Sequence, residues 1–412
     1  MKHLSFLIAA MGFVAASVSC EKIGGDDEKK NPYRPLDLTT KSAEFVQKGN
    51  TFSIEFIDQI NTSATKDYII SPLSMQFLLG MVLDGANGET ADQICSVLGY
   101  GQGEKEAVDQ YCLSMLQQLP DMDKKTTLKI ANALFADEPF PILDSYKSVV
   151  RDYYQAAIAN LDFSDIENTL KIINTWCSKS TNGMIPKVLD NIKIDIPLYL
   201  FNAIYFKGEW KEKFKKSDTT EETFTNESGA KSKAAMMKHT KGHGYMENDV
   251  FQAVSLAYGN TAFSMVALLP KTGYKISDII ASLKETGCDA VRGSMYTHEV
   301  DLWLPKFEAT SSIRLNDILS AMGMPLAFDN NNADFSALSS YPLVYLDYVQ
   351  QDAVIKVDEE GTEAAVVSHA GFGKMDTVPD PAVIFHADHP FLYLITENST
   401  GAILFAGRYS GR

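Results

Sequence analysis

Between two stretches that read as strands, residues 359–381 run Glu-Glu-Gly-Thr-Glu-Ala-Ala-Val-Val-Ser-His-Ala-Gly-Phe-Gly-Lys-Met-Asp-Thr-Val-Pro-Asp-Pro, and this segment constrains the fold more than any other. A connection this long inside a compact chain is usually functional or disordered. Its first half, however, is leaner in charge and proline than an ordinary linker. Taken with period two, Thr362, Ala364, Val366, Ser368 and Ala370 fall on one face, all small or modest in size and none charged. Glu363, Ala365, Val367, His369 and Gly371 fall on the other. That is the pattern of a strand with one buried face. The glycines and short side chains nevertheless make it a poor strand on its own. The segment therefore reads as loop in one state and strand in another. A surface loop with accidental alternation reads the same residues equally well.

The rest of the chain reads as α+β, with helices early and strands late rather than a regular alternation. Phe45, Phe52, Phe56, Ile57 and Ile60 lie near helical spacing, as do Leu78, Leu79, Val82 and Leu83 after Ser71-Pro72. Ser164 and Glu167 form an expected capping box for a helix carrying Leu170, Ile173, Trp176 and Cys177 and closed by Asn182-Gly183. Strand-like runs follow at 198–206, 251–258, 263–269 and 300–304, and a closing pair at 391–396 and 402–406. No linker, repeat or low-complexity tract interrupts residues 40–412, which read as one domain.

The start of the chain is different in kind. Met1-Lys2-His3 precedes an apolar run to Val18, too short and too rich in small residues for a membrane span. Ser17-Val18-Ser19-Cys20 resembles a bacterial lipoprotein signal, with Ser17 where leucine is usual and Cys20 as the lipidated residue. A plain secretory signal containing a cysteine is the alternative. Residues 1–19 are thus expected to be a signal peptide and 20–39 a flexible polar tether, Gly- and Asp/Lys-rich with Pro32 and Pro35. The expected location is the bacterial envelope, at the outer membrane or cell surface.

A net charge of −16 argues against nucleic-acid binding. The basic run Lys207–Lys216 is interrupted by Glu209 and Glu212 and reads as a solvated surface. Cys95, Cys112, Cys177 and Cys288 show no metal or redox spacing and read as thiols without a required disulfide. Enzyme signatures are missing: no phosphate-binding glycine loop and no nucleophile elbow. His239 and His243 lack the glutamate of a zinc-protease motif, and His386 and His389 read as structural. No catalytic residue, metal or cofactor is expected.

At this point the residues resemble a family. Val357-Asp358-Glu359-Glu360-Gly361-Thr362-Glu363-Ala364-Ala365 resembles the hinge of inhibitory serpins, with Glu359, Gly361, Thr362, Ala364, Ala365 and Val366 in it. Ser71-Pro72-Leu73-Ser74, Gly85-Ala86-Asn87-Gly88-Glu89-Thr90, Asn132-Ala133-Leu134-Phe135, Asn182-Gly183-Met184-Ile185, Asn202 to Trp210 and Asp388-His389-Pro390-Phe391-Leu392 match in order and spacing. The resemblance implies three β-sheets, about nine helices and an exposed reactive loop. It implies a shutter of Ser71, Ser74, Asn202 and Gln351, where Gln351 replaces the histidine many members carry, so the cluster lacks a titratable member. It also implies a suicide inhibitor: a peptidase cuts the loop, and the cut loop inserts into the large sheet before the acyl-enzyme hydrolyses. The native state is then kinetically rather than thermodynamically favoured.

The family's usual count from Glu359 places the reactive bond at Met375–Asp376, which suits elastase, chymotrypsin or subtilisin types. Lys374–Met375 is the alternative and suits trypsin types, and Phe372 is a further cut site. A monomer is expected, joined to a membrane only through Cys20. The competing reading is a non-inhibitory serpin that acts as a binding or carrier protein.

Overall fold

Helices form where apolar residues recur at helical spacing behind a residue able to cap them. Thr39 accepts the Ser42 amide at 3.0 Å and opens α1 (Thr40–Ser63), which buries Phe45, Phe52, Phe56, Ile57 and Ile60. Ser71 accepts the Ser74 amide at 3.1 Å and opens α2 (Pro72–Gly85) with proline in its first turn. Nearly every residue of α2 is buried, as expected of a helix apolar all round. Then come α3 (Gly88–Leu98), α4 (Lys105–Gln118), α5 (Asp144–Tyr154), α6 (Ile166–Ser180), α7 (Ile276–Thr286), α8 (Cys288–Gly293) and α9 (Asn316–Met322). One cap differs from expectation. Asp165, not Ser164, accepts the Asn168 amide and caps α6, because the Ser164 hydroxyl is already held by Asp162 at 2.5 Å.

The strands are β1 (Tyr68–Ile70), β2 (Thr126–Asp137), β3 (Ala157–Leu161), β4 (Leu198–Glu209), β5 (Thr220–Thr225), β6 (Lys231–Glu247), β7 (Phe251–Ala257) and β8 (Phe263–Pro270). They continue as β9 (Tyr296–Pro305), β10 (Phe307–Arg314), β11 (Gln350–Val357), β12 (Gly361–Thr362), β13 (Val383–His386), β14 (Phe391–Glu397) and β15 (Ile403–Tyr409). The computed structural model describes residues 30–193, 196–347, 349–362 and 381–411. Cys20, and the loop positions Ala364, Ala365, Val366, Lys374, Met375 and Asp376, lie outside the described residues.

Among the described residues, nine α-helices and three hydrogen-bonded sheets make an α+β fold. The largest sheet has nine strands in the order β1-β15-β14-β8-β7-β6-β9-β13, with β5 on β6. A second has the order β12-β4-β2-β3, and a third is the pair β10-β11. One apolar cluster runs from Leu36 to Ala406 through α1, α2 and the closing strands. A smaller one packs α6 over β2 and β4 through Phe135, Phe163, Ile173 and Tyr199.

Part of the expected tether is not free. Asn31 donates to Asp123 at 2.6 Å and accepts the Lys124 amide at 3.0 Å. The Leu36 amide donates to Ser399 at 3.0 Å, and the Leu36 side chain is buried. Composition marks this stretch as polar, but side-chain amides and a single leucine suffice to lay it on the body. No described helix is long and apolar enough to cross a membrane. Cys95, Cys112 and Cys177 are buried free thiols, and Cys288 is a half-buried one.

Candidate functional site

Among the described residues, β4 of the second sheet is paired on one edge only where it meets β12, and β11 of the third sheet is paired on one edge alone. On one flank β4 pairs antiparallel with β2 from Leu198 to Gly208. On the other, β11 pairs antiparallel with β10 along its full length. Between β4 and β11 the described residues make strand pairs only at one end, where Gly361 and Thr362 meet Glu209 and Gly208. Between these flanks is a cavity of about 470 Å³, lined by Leu198 and Leu200 of β4, Gln350 of β11 and Val349 just before it, and Leu78 and Val82 of α2. A strand adding here would bring its downward-facing side chains into that apolar space.

The rim of the gap is built by the residues singled out in the sequence. Gly361 has φ +147°, and a side chain on it would collide with the carbonyl oxygen of Gly208. Only glycine lets the chain turn against β4 here. Trp210 donates its indole N–H to the Asp358 carbonyl at 2.9 Å and its amide to the Glu360 carbonyl at 2.9 Å. Its ring stacks on Tyr258 at 4.4 Å, and the Tyr258 and Thr362 hydroxyls are hydrogen-bonded at 3.0 Å.

Two buried carboxylates flank the turn, and each finds a cation. Glu359 meets Lys306 at 2.9 Å and accepts from Thr219 at 3.0 Å. Burial pushes its carboxyl up, but Lys306 and Thr219 outweigh that and leave it below the ordinary range. Glu360 meets Lys213 at 3.2 Å and Lys216 at 3.5 Å. The basic run read as solvated surface is therefore only partly so. Lys211, Lys215 and Lys216 are exposed, while Lys213 is held between Glu209 and Glu360.

Under the middle of the gap the four expected shutter residues come together. The Ser71 amide donates to Gln351 Oε1 and the Ser71 carbonyl accepts from Gln351 Nε2, both at 2.9 Å. The Ser71 hydroxyl donates to the Leu404 carbonyl at 2.7 Å. Ser74 donates to Asn202 Oδ1. Asn202 then donates to Asn132 Oδ1 at 2.6 Å, and Asn132 to the Tyr154 carbonyl at 2.7 Å. Asn132 and Tyr154 were not assigned to this cluster from sequence. The available signal was an asparagine in the apolar run Ile130–Phe135, where a buried amide needs partners.

Four of the described histidines belong to β6 and to the stretch from β13 to β14, away from β4 and β11. His239 and His243 are joined Nε2 to Nε2 at 2.8 Å, and burial holds both below the usual imidazole range. His386 stacks on Trp303 at 3.9 Å and meets Asp301 at 3.1 Å, tying β13 to β9. His389 meets Asp388 and the Pro270 carbonyl, each at 2.8 Å.

A glycine-turned segment meeting the edge of β4, with a polar lock nearby, fits the serpin fold. Residues 47–411 match the family model "Serpin (serine protease inhibitor)", and the chain belongs to the serpin family. It is 34% identical over 376 residues to the leukocyte elastase inhibitor of Xenopus laevis, covering 87% of this chain and 97% of that one. The thermophilic serpin tengpin in its native state superposes with TM-score 0.81 at 29% identity, over 93% of this chain and 97% of that one. Thyroxine-binding globulin in complex with thyroxine superposes with TM-score 0.78 at 25% identity, over 89% and 98%. The family thus includes inhibitors and at least one binding protein, and it is not a family of catalysts.

Proposed function

We propose that the chain is a suicide-substrate inhibitor of serine peptidases and, by the same acyl chemistry, of cysteine peptidases. Its hinge is Glu359, Gly361, Thr362, Ala364, Ala365 and Val366, and its shutter Ser71, Ser74, Asn202 and Gln351. The reactive bond is Met375–Asp376, with Lys374–Met375 as the alternative. The peptidase hydroxyl adds to the Met375 carbonyl, the Asp376 amine departs with a proton, and an ester joins Met375 to the enzyme. The freed segment then adds as a strand between β4 and β11 before water reaches that ester. One observation carries this reading: among the described residues the facing edges of β4 and β11 lack a strand partner except at the rim, where β4 takes Gly361 and Thr362. The uncharged face Thr362, Ala364, Val366, Ser368 and Ala370 supports it, since a charge there would cost several kcal/mol on burial.

The test is to mix the full chain with elastase, chymotrypsin, subtilisin, trypsin and papain. A complex that survives denaturing gels, with a released peptide starting at Asp376 or Met375, is the expected result. Cleavage without a complex for every peptidase would contradict it. That outcome would favour the second reading, a binding protein, which draws on the likeness to thyroxine-binding globulin.

The protein is further proposed to be exported and held on a bacterial envelope by lipid on Cys20. The support is the run Ser17–Cys20 after an apolar stretch. The full chain should partition with membranes and Cys20→Ser should not. Equal partitioning of the two would overturn the anchor.

A further inference from the structure

Asp84 near the end of α2 and Asp109 on α4 form a cluster that the proposed inhibition does not use. Each carboxyl feels the other as a near neighbour, and the Tyr154 hydroxyl is bonded to Asp109 beside them. Two carboxyl groups withdrawn from water side by side repel when both are ionised, which favours one of them as the acid. Asp84 Oδ2 is also buried with no donor directed at it among the described residues. A carboxylic proton meets that need.

The pair is wired to the lock under the gap. The buried Tyr154 hydroxyl donates to Asp109 Oδ1 at 2.9 Å. The carbonyl of the same residue accepts from Asn132, which continues through Asn202 and Ser74 to Ser71 and Gln351. Tyr154 packs so closely on α2 that a Cβ added at Gly80 would lie 2.6 Å from its hydroxyl oxygen. Its position is thus set by α2 on one side and by the acid pair on the other. The chain crosses the gap, since Asn132 and Asn202 belong to β2 and β4, and Gln351 to β11.

The groups facing the pair are named by element. From α4 come Lys105, whose ammonium donates to the Ala86 carbonyl at 2.6 Å, with Glu106 and Cys112. From α5 come Tyr146 and Tyr154, and from α3 Cys95. Lys105 is the cation among these, and it does not offset burial. Desolvation first, and then the neighbouring carboxylate, raise Asp84 far above the ordinary aspartate range, and desolvation raises Asp109.

We propose that Asp84 and Asp109 hold one proton between them, and that this proton is the titratable part of the lock resisting separation of β4 from β11. The proposal rests on the reading that the gap admits a further strand. The locked state then binds one proton more than any state in which the pair comes apart. Its stability contribution is largest near the ordinary carboxyl value. It falls as pH rises from there to the raised native value, and is flat beyond.

The experiment follows heat-driven conversion of the full chain by tryptophan fluorescence and native gels, from pH 5.5 to 8.5. No peptidase is involved, so failure here is distinct from failure of the inhibitor reading. The wild-type rate should rise with pH, and Asp84→Asn should flatten the profile, so that the ratio of the two rates changes by at least about tenfold. If Asp84→Asn does not fold, Asp109→Asn takes its place. In wild type at pH 7 an infrared carbonyl band of a protonated carboxyl should be present. It should persist in Tyr154→Phe while the pH dependence of conversion is lost. Parallel profiles for wild type and the Asn variant, or absence of the band, would overturn the proposal.

Discussion

The rim and the middle of the same gap are closed by opposite chemistry. At the rim, Glu359 and Glu360 are held by lysines whose own side chains reach solvent, and Trp210 covers the turn. In the middle, Ser71, Ser74 and Gln351 are buried and bonded as neutral groups. Ion pairs with an exposed partner are screened by salt and respond to pH. Buried neutral hydrogen bonds do not themselves respond to either, so a pH response of the middle enters only through Asp84 and Asp109, as proposed above. Losing one partner, however, strands the other at about 1–3 kcal/mol. The rim is therefore suited to yield to salt and acid, and the middle to depend on shape and on the one proton proposed for Asp84 and Asp109.

The comparison can be broken most forcefully at the rim's inserted residue. Thr362→Arg puts a charge where Thr362 is buried against Tyr258. If the chain inhibits as proposed, several kcal/mol of desolvation should turn it into a substrate, read as a fall of at least about a hundredfold in complex per cleavage. Next is the middle. Gln351→Ala leaves both the amide and the carbonyl of Ser71 without the partner they now have. A loss of about 2–4 kcal/mol in chemical denaturation, equal at low and high salt, is expected.

Third is the rim's ion pair. Lys306→Ala leaves Glu359 buried with Thr219 as its remaining side-chain donor. Because Lys306 is half in solvent, the expected loss is about 1–2 kcal/mol, and it should shrink in high salt. The smallest effect is that of acid on this pair. Glu359 is held below its ordinary value, so its contribution is complete above that value and is lost as pH falls through the lowered native one. Wild type should lose stability over that acid window more steeply than Lys306→Ala, by denaturation at stepped pH. A salt response in Gln351→Ala as large as in Lys306→Ala would erase the distinction between rim and middle.

How much of this could be read from the residues depends on whether the signal is local. The helices α1 and α2 declare themselves through spacing and caps within a few positions. The closing strands β14 and β15 do so as unbroken apolar runs. Gly361 and the small alternating face are local too. By contrast β6 is interrupted by lysines and by Gly242 and Gly244, and β10 alternates alanine and serine with glutamate and threonine, so neither shows an apolar stripe. The partners of the hinge come from far away: Lys213 and Lys306 from other elements, and Trp210 from the end of β4. Asn132 and Tyr154 join the lock only once β2 and β4 are in register, Asn132 opposite Asn202. No local pattern encodes that meeting, nor the placement of Asn31 against Asp123.

The central claim is that the position between β4 and β11 receives the segment that begins at Gly361. The most direct measurement is to cut the full chain within 372–376 with a limiting peptidase and compare thermal unfolding before and after. If the segment adds as a strand, the cleaved protein gains several kcal/mol of pairing and burial, and its Tm should rise by more than about 10 °C. An unchanged or lower Tm after complete cleavage would contradict the account.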